Sequence, residues 1–177
     1  MEDITFRTLR RDEIDYVRTL RRDEIVEKIF YVENNELILK EEFYDIKGWI
    51  PEQLEKNIIT LHNLADRGGF LYGAFNNSKL IGIIALECEF IGFNNNQLQV
   101  VFLHVDKNYR DSGIGTKLMK IVIEKARQIG AKKLYISATP SKHTINFYFG
   151  LGCELTSEIN PKLFELEPDD IHLELRI

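Results

Sequence analysis

The chain has 177 residues, 44% apolar and 29% charged, with a net charge of −5 at pH 7. That length suits one domain with a sizeable core, and the acidic balance argues against a general nucleic-acid surface, which needs a basic face to neutralise phosphates. No stretch approaches the ~18 apolar residues of a membrane span.

In chain order, Met1 to Phe6 lacks the basic and apolar segments of a secretory leader, so the expected location is cytoplasmic. In that compartment Cys88 and Cys153 read as reduced thiols, with one disulfide as the alternative. Residues 4–9 alternate apolar and polar, as a half-buried strand does. The heptapeptide Thr-Leu-Arg-Arg-Asp-Glu-Ile at 8–14 recurs at 19–25, a period of 11 that is close to three helical turns. It predicts a charged helix over 12–27 rather than a repeat array. Residues 28–33 and 36–40 flank Asn34-Asn35 as a hairpin, and 41–49 reads as irregular, acidic and aromatic. Pro51 opens a helix that carries Leu54, Ile58, Leu61 and Leu64 at helical spacing and stops at Gly68-Gly69.

From Phe70 the period changes to that of strands: 70–75, then 80–90 antiparallel to it, then 97–105. A helix over 113–129 buries Ile114, Leu118, Ile121 and Val122. Strand 133–138 follows a helical crossover and therefore runs parallel to 97–105. A short helix over 141–151 and a closing antiparallel pair at 152–157 and 171–176 complete a single α/β domain with a mixed sheet.

The chemistry concentrates after residue 103. A strand ends near Val105, and Arg110, Gly113 and Gly115 then give R-x-x-G-x-G at the start of a helix. Glycines there let backbone N–H groups approach an anion, and the helix dipole favours negative charge. The same hexamer also reads as an ordinary strand-to-helix turn. Two other phosphate signatures are absent: G-x-x-x-x-G-K-S/T, and G-x-G-x-x-G after a first strand.

This segment resembles the Q/R-x-x-G-x-G/A pyrophosphate motif of the GNAT superfamily of N-acetyltransferases, and Leu103-His104-Val105 resembles that family's central strand. Downstream, Phe147-Tyr148 followed by Gly152 resembles its later helix ending. The resemblance implies a mostly antiparallel sheet flanked by helices and splayed between two central parallel strands, with acetyl-CoA in the wedge. It implies that Leu103, His104 and Val105 line the pantetheine arm, and that Arg110, Asp111, Ser112, Gly113, Ile114, Gly115 and Thr116 hold the pyrophosphate. Ser141 stands where many members place an asparagine against the coenzyme. Tyr148 matches the tyrosine beside the leaving thiolate, its alternative role being packing among Phe147, Phe149 and Leu151. Homodimers are common among such proteins.

The implied reaction is direct transfer of an acetyl group to a primary amine of a small molecule or peptide. A thioester is already activated, so no metal is required. A lysine-like amine must lose a proton, which at pH 7 costs roughly 4.6 kcal/mol. On the expected strand 80–90, Glu87 and Glu89 share a face and are candidate bases, or simply a solvated face. His104 titrates in a useful range, or is a packed histidine. Residues 28–50 read as an acceptor-side insertion, with Glu41, Glu42, Phe43, Tyr44, Asp45 and Trp49 as a wall for an ammonium, or as a lid packed on the core. A non-catalytic acyl-CoA sensor and a protein-interaction domain are the alternatives to an enzyme.

Overall fold

The computed structural model describes residues 4–177; Met1, Glu2 and Asp3, part of the stretch read as lacking a leader, lie outside the described residues. Strand β1 (Ile4–Thr8) leads into a 3₁₀ helix at Arg11–Thr19, and the chain then extends as β2 (Glu24–Glu33) and β3 (Glu36–Ile46). Helix α1 (Pro51–Asp66) precedes β4 (Phe70–Asn76), β5 (Lys79–Leu86) and β6 (Gln97–Val105). A 3₁₀ turn at Lys107–Tyr109 introduces α2 (Ile114–Ile129), followed by β7 (Lys133–Ala138), α3 (Lys142–Gly150), β8 (Glu154–Leu155), α4 (Pro161–Leu166) and β9 (Ile171–Arg176).

Seven strands form one sheet in the order β1-β4-β5-β6-β7-β9-β8. Among the described residues only the β6–β7 pair is parallel, as a helical crossover requires. Strand β5 is apolar at nearly every position because both its faces are covered. One face packs Ile81, Ile84 and Leu86 with Leu118, Met119 and Val122 of α2. The other packs Leu80 and Ile83 with Ile58, Leu61 and Leu64 of α1 and with Ile14 and Val17 of the first 3₁₀ helix.

The structure departs from the sequence reading at four places. The helix expected over 12–27 stops at Thr19, and residues 24–33 are strand. The two copies of the repeat thus adopt different structures. The reason is tertiary: the Arg21 amide donates to Asp106 Oδ2 at 3.0 Å, and the Lys107 amide donates to the Arg21 carbonyl at 3.1 Å, which holds the second copy extended. The Asn34-Asn35 hairpin forms, but its strands are longer, and 41–46 belongs to β3 rather than to an irregular loop. Strand β5 ends at Leu86 instead of 90. Helix α4 was not anticipated, although Asn160-Pro161 announces it: Pro161 is at its start, and Asn160 Oδ1 accepts from the amides of Lys162 and Leu163.

Glu13 fastens the first 3₁₀ helix to β1. Its carboxylate takes both guanidinium donors of Arg7, at 2.7 and 2.8 Å, and the Arg10 amide at 3.0 Å. The hydrogen bonds from Arg7 are the largest reason its pKa falls to about 2; burial opposes them. A carboxyl depressed on folding stabilises fully above its unfolded value near ~4.3 and loses that contribution as pH drops towards 2. We expect Glu13→Gln to lower Tm by about 5 °C at pH 7, from a loss of about 2 kcal/mol. The gap to the parent closes near pH 2–3 in parallel melts. An equal gap at both pH values would refute this role for Glu13.

Candidate active site

The site begins with a break in the sheet. Strands β6 and β7 pair from Gln97↔Lys133 to Val100↔Ile136 and no further. Beyond that point β6 stays with β5 as far as Gly82↔Val105, while β7 stays with β9 as far as Ala138↔Ile171. A bulge drives the parting. Ala85 faces Phe102 and Leu86 faces Val100, which leaves Val101 as an extra residue on β6 and bends that strand.

The opened edge of β6 carries usable backbone groups. The Asp106 amide donates to the Ile81 carbonyl at 2.9 Å. Counting back by alternation, His104 and Phe102 bond β5, whereas Leu103 and Val105 turn their backbone groups into the gap.

Next to the gap is the start of α2. Asp111 (φ 59°) and Gly113 (φ 81°) are both left-handed, which curls the loop into a concave nest of amides. Among the described residues nothing accepts a hydrogen bond from the amides of Asp111 through Thr116. Gly115 lets the loop pack close to α3: a Cβ there would lie 3.3 Å from the Phe147 ring, which would have to give by a few tenths of an ångström. Arg110 braces this loop: Nε reaches the Val105 carbonyl at 3.4 Å, Nη1 reaches the Asp23 carbonyl at 3.5 Å, and Glu24 lies 3.7 Å away.

A cavity of about 750 Å³ runs through the gap to both faces of the sheet. On the α2 face it is lined by the nest, Phe147 and Tyr148. Tyr148 is only 6% exposed, and no hydrogen-bond partner for its hydroxyl occurs among the described residues. Burial pushes its pKa well above the ordinary tyrosine value, helped by Cys153 and Asp170. Asp170, half-buried just before β9, lines the same cavity. Burial, then the charges of Glu167 and Asp169, raise its carboxyl to about 7. The loop that carries it is pinned by a chain of hydrogen bonds. The Asn160 amide donates to Tyr135 Oη (3.2 Å), that hydroxyl donates to His172 Nδ1 (2.8 Å), and His172 Nε2 donates to the Glu167 carbonyl (3.2 Å).

The model of the Acetyltransferase (GNAT) family matches residues 26–152, well over half of the chain. The chain belongs to the GNAT acetyltransferase family. N-acetyltransferase 8B of Rattus norvegicus is 27% identical over 121 residues, which are 66% of this chain and 54% of the rat protein. This chain therefore spans about half the length of that relative. Among solved structures, a Bacillus anthracis acetyltransferase in complex with acetyl coenzyme A superposes with a TM-score of 0.74 at 19% identity, covering 99% of both chains. The PaiA N-acetyltransferase of Thermoplasma acidophilum, in complex with coenzyme A, gives 0.66 at 17% identity, again over 99% of both. At these identities the likeness is one of fold, and the mixed sheet with its parallel β6–β7 pair is the GNAT-like α/β fold.

In this GNAT chain the expected residues are not all brought together. Leu103, Val105, Arg110, Asp111, Gly113, Ile114, Gly115, Thr116 and Tyr148 line one cavity. Ser112 does not line it; its hydroxyl donates to the Tyr109 carbonyl. Ser141 lines the cavity, but its hydroxyl caps α3, accepting from the Thr144 amide at 3.2 Å and donating to Thr144 Oγ1. The His104 side chain lies across the sheet from Leu103 and Val105, tilted on the Trp49 ring at 4.7 Å. Its Nε2 faces the Arg21 carbonyl at 3.2 Å and must donate, so Nδ1 is an acceptor. Burial lowers its pKa to about 4, which keeps the ring neutral at pH 7.

Glu87 and Glu89 must be reassigned. Both follow the end of β5, and neither lines the cavity. Glu87 is ion-paired with Arg67, and although burial acts to raise its pKa, Arg67 and the Cys88 amide hold it low, opposite to what a base at neutral pH needs. The expected acidic wall over 41–49 also dissolves. Glu41 pairs with Lys28, Asp45 with Lys47, and Glu42 accepts from Tyr31 and Tyr44; of the six named residues only Trp49 reaches the cavity. Asp170 was missed because nothing near it in sequence marks it; as one of three acids in Glu-Pro-Asp-Asp it reads as part of a turn until the sheet brings it onto the cavity that Tyr148 also lines.

Proposed function

We propose that this chain is an acetyl-CoA-dependent N-acetyltransferase that moves an acetyl group to a primary amine of a small molecule or peptide by direct attack. The observation that carries this reading is the gap between β6 and β7, which opens beside an unsatisfied amide nest and has Tyr148 and Asp170 on its wall. The two solved relatives that hold acetyl coenzyme A or coenzyme A support it through their shared fold.

In this reading the amides from Asp111 to Thr116 hold the pyrophosphate, with the α2 dipole behind them. Arg110 contributes positive field but mainly keeps the loop in shape. The gap-facing backbone groups of Leu103 and the Val105 amide continue the β ladder with the pantetheine amides, and an amide on this edge stabilises the carbonyl oxygen as it becomes an oxyanion.

The amine nitrogen attacks the thioester carbon, so that an N–C bond forms and the C–S bond breaks. Asp170 first takes one proton from the ammonium, which frees the lone pair that attacks, and the second nitrogen proton passes to water as the tetrahedral intermediate collapses. The raised pKa of Asp170 suits that first step near neutrality. Tyr148 donates a hydrogen bond to the sulfur as it departs. Because the tyrosine pKa is raised, full proton transfer to a thiolate is uphill, and the thiolate takes its proton from water.

Calorimetric titration with acetyl-CoA, followed by acceptor-dependent release of free thiol across an amine panel, tests this function. We expect saturable binding and turnover with at least one amine. Gly113→Ala is expected to weaken acetyl-CoA binding about tenfold. Its methyl meets open space, and the left-handed backbone is strained by about 1–2 kcal/mol, which pulls the nest out of shape. No heat and no thermal shift with acetyl-CoA would remove the proposal.

A further inference from the structure

The half of the cavity on the α1 face has its own character. It is lined by Arg22, Trp49, Gln53, Asn57 and His104. Almost every arginine around it is occupied. Arg18 is held by Glu55, Arg21 by Asp23, and Arg110 by Glu24. Arg22 differs: among the described residues it has neither a carboxylate partner nor a hydrogen-bond acceptor. It is half-buried and sits 5.5 Å from the centroid of the Trp49 ring, which is itself fixed by Nε1 donating to the Leu20 carbonyl at 2.8 Å. His104 beside it is neutral, so it adds no second positive charge.

With Arg110 matched by Glu24, this end of the cavity keeps one uncompensated guanidinium, flanked by the side-chain amides of Gln53 and Asn57. The other end, around Tyr148, carries Glu167 and Asp170. The cavity is therefore polarised, positive under α1 and negative beside β9.

We infer that the acceptor is a small amine that also bears a carboxylate, with its ammonium towards Asp170 and its carboxylate on Arg22. A guanidinium fork matches a carboxylate with two parallel hydrogen bonds. The Trp49 ring, 5.5 Å from the guanidinium carbon, keeps that fork at the cavity wall by cation–π attraction, and Gln53 and Asn57 supply further donors. A polycationic acceptor would instead bring like charge against Arg22. This inference rests on the acetyltransferase reading and narrows its substrate class.

The test compares matched acceptors, ω-amino acids of increasing chain length against the corresponding ω-amino amides, by acetyl-CoA-dependent thiol release, with acetyl-CoA binding followed calorimetrically in parallel. We expect the acids to exceed the amides in kcat/KM by at least tenfold. Arg22→Gln should abolish that preference by raising KM for the acids 10- to 100-fold, with Arg22→Lys retaining part of it. Amides or polyamines used as well as the acids would overturn the inference while leaving the enzyme reading intact. A rise in KM for acetyl-CoA in Arg22→Gln, in place of the acceptor effect, would assign Arg22 to the donor and overturn it as well. Failure to bind acetyl-CoA at all would strike the enzyme reading itself.

Discussion

Asp170→Asn is expected to lower kcat/KM for the amine about 10²- to 10⁴-fold at pH 7–8 and to remove the acid limb of the pH–rate profile. The parent should show that limb with a midpoint near 7, because the carboxylate must be ionised to take a proton and rate therefore falls as pH drops through its pKa. Burial is the main cause of the high value, and the charges of Glu167 and Asp169 on the same loop add to it; Tyr148 faces it from α3. A second readout separates a base from a structural acid. A carboxyl whose pKa is raised on folding binds more protons in the native state, so native stability declines as pH rises from about 4 to 7. Asp170→Asn should lose that decline and melt higher than the parent at pH 8, while turning over more slowly. A variant that keeps the acid limb, or one that is slow only because it is less stable, would refute the assignment.

Tyr148→Phe is expected to lower kcat about 10²-fold with the Kd for acetyl-CoA changed less than twofold, a loss of roughly 2.7 kcal/mol of transition-state stabilisation. The ring stays, so its edge contact with Phe147 at 5.1 Å survives and the fold is preserved. Only the hydroxyl is lost. In the resting enzyme that hydroxyl has no protein partner among the described residues, so its removal breaks no structural hydrogen bond. The kcat loss should shrink with donors whose leaving thiol is more acidic, because such a thiolate needs less help. Unchanged turnover, or a loss that appears wholly in Kd, would return Tyr148 to a packing role.

These variants probe groups that differ in how they could be found. The R-x-x-G-x-G loop and the FY ending are contiguous, so their resemblance to the GNAT motifs pointed to the nest and to Tyr148, where spacing alone left a plain turn and a packed tyrosine open. The fate of individual side chains in the loop was not legible in the same way. Ser112 and Ser141 both satisfy local backbone or side-chain partners, and Arg110 is spent on carbonyls from β6 and from the start of β2. The two serines follow local turn and capping patterns, but the Arg110 contact with the Asp23 carbonyl spans 87 positions, and no local pattern records it.

The sequence by itself determined the α/β class, the order of strands and helices from Phe70 onward apart from α4, the parallel β6–β7 pair and the glycine turn that opens α2. All of these are set by periods of two or about 3.6 residues and by glycines that act within a few positions. The tertiary structure alone decided the helix-to-strand change after Thr19, the end of β5 at Leu86, the placing of Asp170 and Tyr148 on one cavity, and the approach of Arg22 to Trp49. Each depends on groups far apart in the chain: Asp106 pulls on Arg21 across 85 positions, and β9 must lie beside β7 before Asp170 can face the cavity. Local preference is a weak force of tenths of a kcal/mol per residue, and buried long-range hydrogen bonds override it.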